Sequence, residues 1–362
     1  MKTIKMIDKN KIKNIYIRES NWVGDAVMTL PSLRAIRRHF KNAKITIGAK
    51  STITLLLGSS GFADDFVQIP HPVENGKKLK KWKTVFAERK RKYDYGILFT
   101  NSFESAFELK LMGIPVRAGY DTDGRGFLLN ETVSASDEIK SLHEVDYFIN
   151  LTQSLGIPVE DKTVNLTLSD NDIQFADDFF SSNGLNGKLV IVIHPGTSTF
   201  QRSWHSERYS TLCNNLIDKY GASVLIIGAP EDSRTASDIV SGIKSPVIDT
   251  TGKFNICQSS ALIKKAGLFI GNDSGPMHIA ASLKTPVVII FGPGNPEKTK
   301  PYTSAELYIQ VKREYPCRPC RQRFFEECKP ASSGRPECIE SITVEDVMEA
   351  CDTMINKMIN RM

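Results

Sequence analysis

No run of about 18 consecutive apolar residues, the length a membrane-spanning helix needs, occurs in the 362 residues. The opening segment, MKTIKMIDKNKIKNIYI, also lacks the uninterrupted apolar stretch of a secretory signal, because lysines and an aspartate break it throughout. These two absences set the expectation of a cytoplasmic protein. Cysteine is sparse, seven in all, and in that compartment is expected to be mostly reduced. Neither an internal repeat of fixed period nor a low-complexity tract is found, and the composition is that of a globular chain, 41% hydrophobic and 24% charged. The length is too great for one ordinary core and suits two domains of about 150–200 residues each.

What is present is unevenly charged. The net charge is +6, but residues 1–50 hold 12 Lys and Arg against 3 Asp and Glu, and Lys77 to Lys92 hold 9 against 1. Such stretches form solvated faces or attract an acidic surface such as an anionic membrane.

Short β-branched runs alternate with amphipathic helices along the whole chain. In the first half these are NIYIR, a helix from about Met28 to Phe40, KITIGAK, DFVQI and YDYGILFTNSF. In the second they are KLVIVIHPGTS, ERYSTLCNNLIDKYG with Gly221 as its stop, ASVLIIGAPED, SSALIKKAG, LFIGNDSGPMHIAASLK and PVVIIFGPG. That rhythm predicts an α/β protein with parallel sheets covered on both faces. The polar, non-helical segment Gly156 to Asp172 marks the boundary, giving domains of 1–165 and 166–341. The remainder, 342–362, predicts an amphipathic helix with Thr343 as N-cap, its apolar face formed by Val344, Val347, Met348, Cys351, Met354, Ile355 and Met358 packing back on the body.

Three turns carry candidate chemistry. NWVGDAVMTLPSLRAIRRHF places Gly24 and Asp25 between a strand and a helix, the usual ligand position of an open α/β sheet; Asp25 either caps the helix or acts in catalysis. GNDSGPMH, Gly271 to His278, ends a strand and opens a helix, so the amides of Ser274 and Gly275 make an anion site suited to a diphosphate. Asp273 is expected to cap that helix or meet a hydroxyl, and His278 either reaches a phosphate or sits in the core. HPGTSTFQR offers Thr197, Ser198 and Arg202 for a second anion contact. After ASVLIIGAP, Glu231 or Asp232 is suited to ribose hydroxyls, with Glu231 taken as the candidate. Two phosphate-type turns in one domain fit a nucleotide ligand better than a nucleic acid.

These segments, together with TNSFESAFELKLMGIPVRAGY and CRPCRQRFFEEC, closely resemble the lipopolysaccharide heptosyltransferase family of inverting glycosyltransferases, with the motifs in family order from about Asn14 to Val347. The resemblance implies a GT-B architecture, two Rossmann-like domains facing across a cleft, with donor held by the C-terminal and acceptor by the N-terminal domain. It implies an ADP-heptose donor, the lipid A inner core as acceptor at the inner membrane surface, and Asp25 as general base. Asn101, Ser102, Ser105 and Arg117 would serve the acceptor, Arg117 through a core phosphate. The family usually has lysine where Arg202 stands, so the charge survives while the geometry changes. No catalytic metal is required if Arg202 and the helix amides meet the diphosphate. Lys77, Lys78, Lys80, Lys81, Arg89, Lys90, Arg91 and Lys92 would draw the protein to the anionic membrane. Trp82, Val85 and Phe86 would form either a shallow apolar contact or the buried face of a helix.

Four cysteines cluster as C-x2-C-x7-C-x9-C at Cys317, Cys320, Cys328 and Cys338, within the 317–338 loop. A structural zinc would fold this core-poor segment; disulfides or free thiols are the alternatives. Cys213, Cys257 and Cys351 read as buried thiols.

Overall fold

The computed structural model describes residues 11–70, 77–320 and 322–360. The chain divides into two compact units, one up to Thr167 and one from Leu168 onward. In the first unit the strands are β1 (Asn14–Arg18), β2 (Lys44–Ala49), β3 (Asp65–Gln68), β4 (Tyr95–Leu98), β5 (Val116–Tyr120) and β6 (Glu131–Val133). They form one sheet in the order β3-β2-β1-β4-β5-β6, every pairing parallel. The second unit repeats the plan with β7 (Val190–His194), β8 (Ser223–Ile226), β9 (Ile248–Asp249), β10 (Leu268–Asn272), β11 (Val287–Phe291) and β12 (Tyr308–Lys312). Their order is β12-β11-β10-β7-β8-β9, again wholly parallel.

Both are doubly wound sheets whose chain order reverses between the first strand and the fourth, and this switch point is where such folds bind ligands. In the first unit it lies between β1 and β4, in the second between β7 and β10. Every residue of β4, β7, β10 and β11 is buried, as expected when helices cover both faces of a parallel sheet.

The helix expected from about Met28 starts five residues earlier, at Val23, and is split into Val23–Met28 and Leu30–His39. Pro31 explains the split. It has no N–H to give, and its ring would collide with the carbonyl four residues back if one helix ran through. Asp25 therefore sits inside a first helical turn and not ahead of it.

The C-terminal segment forms the helix Val344–Ile359, opened by Thr343, whose side chain accepts from the Asp346 amide while the Asp346 carboxylate accepts from the Thr343 amide. It buries Val347, Ala350, Cys351, Met354 and Ile355 against the helix Ser206–Tyr220 and against β11 and β12. Side chains of this size contribute about 1.5–3 kcal/mol each when fully buried, which ties the end of the chain to the second core.

Candidate active site

In the first unit the loop after β1 is held by buried charge. Arg18 and Glu108 are almost wholly buried and joined Nε to Oε2 at 2.8 Å, and Lys81 reaches the other oxygen of Glu108 at 2.6 Å. Burial alone would raise the Glu108 carboxyl, but the two cations hold it below its ordinary range. The rest of the Arg18 guanidinium donates to the Glu19 carbonyl at 2.7 Å and to Asn21 Oδ1 at 3.0 Å, fixing the loop. Lys81 is thus a buried partner of Glu108 and Glu104, which corrects the expectation that it belongs to a membrane-facing charge run. Arg91 is paired with Asp65 and Glu88, whereas Lys80, Arg89, Lys90 and Lys92 are exposed. The side chains of Lys77 and Lys78 lie outside the described residues.

Asp25 is partly exposed, and its Oδ2 accepts from Ser20 Oγ at 2.9 Å. The N-cap of its helix is Trp22, with no side-chain cap, so Asp25 does not cap; it keeps only the favourable macrodipole of the first turn. Glu19 is completely buried, accepts from the Ser20 amide at 2.7 Å and from Thr29 Oγ1 at 3.2 Å, and burial pushes its carboxyl up to about 8. That shift favours the protonated form of Glu19.

Across the switch point, the loop after β4 brings Asn101 and Ser102 to the same sheet edge, both exposed. Asn101 Oδ1 accepts from the Tyr147 hydroxyl at 3.0 Å, and Ser102 caps the helix Phe103–Leu111. Ser105 is buried and accepts from Arg125 at 3.2 Å, so its role is internal. Arg117 does not fit the acceptor role: its guanidinium is used on the carbonyls of Leu128 and Ile114, at 2.6 and 2.5 Å, where it ties a turn. A separate cavity of about 170 Å³ lies behind the helix Leu30–His39, where Arg34 pairs with Asp161, away from the Asp25 loop in sequence and in lining.

The second unit gathers its turns at the β7/β10 switch point. His194 Nδ1 lies 3.2 Å from Ser274 Oγ, and His194 Nε2 is 3.9 Å from Asp232. Burial outweighs Asp232 and lowers His194 to about 4, so the imidazole is neutral at physiological pH. Because the Ser274 hydroxyl faces His194, the helix Gly275–Ser282 begins without a side-chain cap, as an anion site at a helix N-terminus requires. Two glycines permit this closeness. A Cβ on Gly271 would lie 2.8 Å from the His194 carbonyl, and one on Gly196 would lie 2.5 Å from Asp232 Oδ1. Asn272, fully buried, accepts from the Trp204 amide and donates to the Pro195 carbonyl, stitching the two turns together.

Of the two acids after β8, Asp232 points inward and accepts from the Ala229 amide at 2.9 Å, while Glu231 is exposed. Asp273 does not cap the helix: it is buried, ion-paired to Arg202, which also donates to its carbonyl, and it meets the Thr299 hydroxyl. Burial still raises the Asp273 carboxyl against that pairing. Arg202 keeps a buried Nε–H with no hydrogen-bond partner. Thr197 Oγ1 donates to the Thr199 carbonyl, Ser198 is exposed, and His278 is buried in the helix Gly275–Ser282. Arg18, Glu19, Glu108, His194 and Asn272 were not singled out from the sequence. For Arg18, His194 and Asn272 the signal was a charged or polar residue closing an otherwise apolar strand, whereas Glu19 and Glu108 lie outside the strands.

Cys317, Cys320, Cys328 and Cys338 line one small cavity of about 20 Å³ with Tyr315, Arg318 and Phe324. All seven cysteines are free thiols, and among the described residues no group of three or more His, Cys, Asp or Glu is arranged to hold a metal ion. Burial raises the Cys338 thiol to about 11. Cys213, Cys257 and Cys351 are buried, as expected of inert thiols.

Two doubly wound units, one with a carboxylate and one with a helix start free of a side-chain cap at the switch point, match the domain composition of a GT-B glycosyltransferase. Residues 82–329 match the model of glycosyltransferase family 9 (heptosyltransferase), and the chain belongs to that family. It is 26% identical over 355 residues to lipooligosaccharide heptosyltransferase 2 of Campylobacter jejuni, covering 94% of this chain and 98% of that one. Its fold is similar to a glycosyl transferase family 9 structure from Veillonella parvula (TM-score 0.80, 20% identity, 95% and 98% of the two chains). It is similar also to the ADP-heptose LPS heptosyltransferase II of Escherichia coli (TM-score 0.77, 22% identity, 95% and 99%).

Proposed function

We propose that this protein transfers heptose from ADP-heptose to the lipid A inner core in lipopolysaccharide biosynthesis, at the cytoplasmic face of the inner membrane. The observation that carries this reading is the carboxylate of Asp25 at the switch point of the first unit, held by Ser20 beside the buried Glu19. The names of the Campylobacter jejuni and Escherichia coli relatives, heptosyltransferases of lipooligosaccharide and lipopolysaccharide, supply the substrate class.

In the proposed step the acceptor hydroxyl oxygen attacks the anomeric carbon while its proton passes to Asp25. The bond from that carbon to the ADP oxygen breaks, its electron pair leaves with the diphosphate, and a single displacement inverts the centre. The amides of Ser274 and Gly275 stabilise the departing charge, with Thr197, Ser198, His278 and the Nε–H of Arg202 around it. Because Arg202 is paired with Asp273, its charge is largely neutralised, and the helix N-terminus carries more of the load than the sequence suggested. Asp232, in place of the exposed Glu231, is the acid suited to the ribose. On the acceptor side Gly24 lets the substrate approach, and Asn101 and Ser102 line the edge.

The reading assigns no metal to the chemistry. The four-cysteine loop would hold a structural zinc through Cys317, Cys320, Cys328 and Cys338, which border one cavity; a chelator-competition titration with a thiol count before and after tests that. Transfer is tested by mass spectrometry of the lipid A core after gene deletion, together with a panel of nucleotide sugars offered to the purified protein. A core shortened by one heptose, with ADP-heptose alone as donor, is the expected result. An unchanged core, or preference for another donor, overturns the assignment.

A further inference from the structure

Ten large apolar side chains stand exposed among the described residues, and five of them, Leu79, Phe86, Phe103, Phe107 and Phe127, belong to one stretch of the first unit. They form a continuous row. The rings of Phe127 and Phe103 are 5.9 Å apart, Phe103 and Phe107 are one turn apart on the same helix, and Phe107 meets Trp82 at 6.0 Å. Trp82 in turn shares a face of the helix Lys77–Glu88 with Leu79 and Phe86, at three and four residues' distance. Phe127 is 73% exposed, which no packing requirement inside the unit explains. An apolar row of this extent marks a contact surface.

Its charge and place narrow the partner. Lys80, Lys83 and Lys110 stand exposed on the same two helices, while the acid among them, Glu104, is bound to Lys81. Asp123 spends one carboxylate oxygen on the Phe103 amide. Phe103 follows β4 and Phe127 follows β5, so the row begins at the strand ends where the Asp25 loop also lies. Aromatic rings bordered by lysines match the zone of a bilayer where headgroups meet acyl chains.

We propose that Phe103, Phe107, Phe127 and Trp82 seat the first unit in the interfacial layer of an anionic bilayer, presenting the Asp25 edge to an acceptor anchored there. The surface rests on the reading of the acceptor as a lipid, but its test does not need transfer. The full chain and a Phe103→Ser/Phe127→Ser variant are sedimented with phosphatidylglycerol–phosphatidylethanolamine vesicles and with phosphatidylcholine vesicles, at low salt and in 1 M salt. Leu55→Ser, another exposed apolar position, serves as control. The aromatic variant should bind anionic vesicles at least about tenfold more weakly, with unchanged melting temperature. The aromatic share of binding should persist in 1 M salt, where charge is screened within about 3 Å. Transfer to a short acceptor without acyl chains should be unaffected.

Equal vesicle binding by variant and wild type overturns the proposal. So does a wild-type dimer in sedimentation that the variant abolishes without losing vesicle binding, since the row would then be a contact between copies. Retained aromatic-dependent binding in a protein that transfers no heptose would sink the functional reading and leave the membrane surface standing.

Discussion

Asp25 and Glu19 are six residues apart, yet Asp25 is partly exposed while Glu19 is completely buried. Asp25→Ala should lower kcat about 100- to 10,000-fold while donor affinity and melting temperature stay near wild type, because the group acts in the transition state and caps nothing; stopped turnover assays and a melt on one preparation check it. Glu19 predicts a pH signature. Its folded carboxyl lies near 8 against 4.5 for an unburied one, so the folded state holds the proton longer and stability falls as pH rises through that interval. His194 has the opposite sign: stability rises with pH between about 4 and 6.5 and is level above, so it does not mask the fall from Glu19. Urea midpoints from pH 6.5 to 8 should therefore decline in wild type and stay flatter in Glu19→Gln. Arg202 must be tested as half of a pair. Arg202→Ala should weaken ADP binding roughly 10- to 150-fold and also lower the melting temperature, since Asp273 is left buried alone. Adding Asp273→Ala should restore the melt without restoring ADP affinity, and full recovery of both would remove Arg202 from the donor site.

At the scale of elements, the basic helix Lys77–Glu88 does two jobs on two faces. One face sends Lys81 inward to Glu108 on the helix Phe103–Leu111, which also receives Arg18 from β1, so three elements meet on one carboxylate. Removing one member of a buried ion cluster costs about 3–5 kcal/mol. Glu108→Gln and Lys81→Gln should each lower the urea midpoint markedly, whereas Lys80→Gln, on the exposed face, should leave it unchanged. Similar small effects from all three would mean that the cluster does not hold the loop. In the second unit Asn272 and the missing side chains of Gly196 and Gly271 bring the β7 and β10 turns together, and the Arg202–Asp273 pair adds a charged link between them.

For the whole molecule, the two units share one strand order but differ at the switch point, where the first carries the Asp25 carboxylate and the second a helix start without a side-chain cap. A donor bound as proposed should act on the second unit. ADP at a hundredfold excess over its Kd should add about 2.7 kcal/mol of stability, and hydrogen exchange should slow at residues 194–202 and 273–277. Protection confined to the first unit would assign the nucleotide to the wrong half.

The order of strands and helices, the second-unit turns and the final capped helix were legible in the sequence, because each depends on neighbours within a few residues: β-branched runs, glycine turns, and Thr343 with Asp346. Pro31 was equally local, yet its effect was to divide a helix and move Asp25 inside it. What the sequence alone did not decide is which charges meet. Lys81 belongs to a run of lysines and Arg117 to a promising motif, yet one is buried on a glutamate 27 residues away and the other is consumed by carbonyls. Arg202 and Asp273, 71 residues apart, neutralise each other for the same reason. Secondary structure follows from local sterics and periodicity, whereas the ionisation and availability of a side chain depend on burial and on partners that only the packed sheets bring within hydrogen-bonding distance.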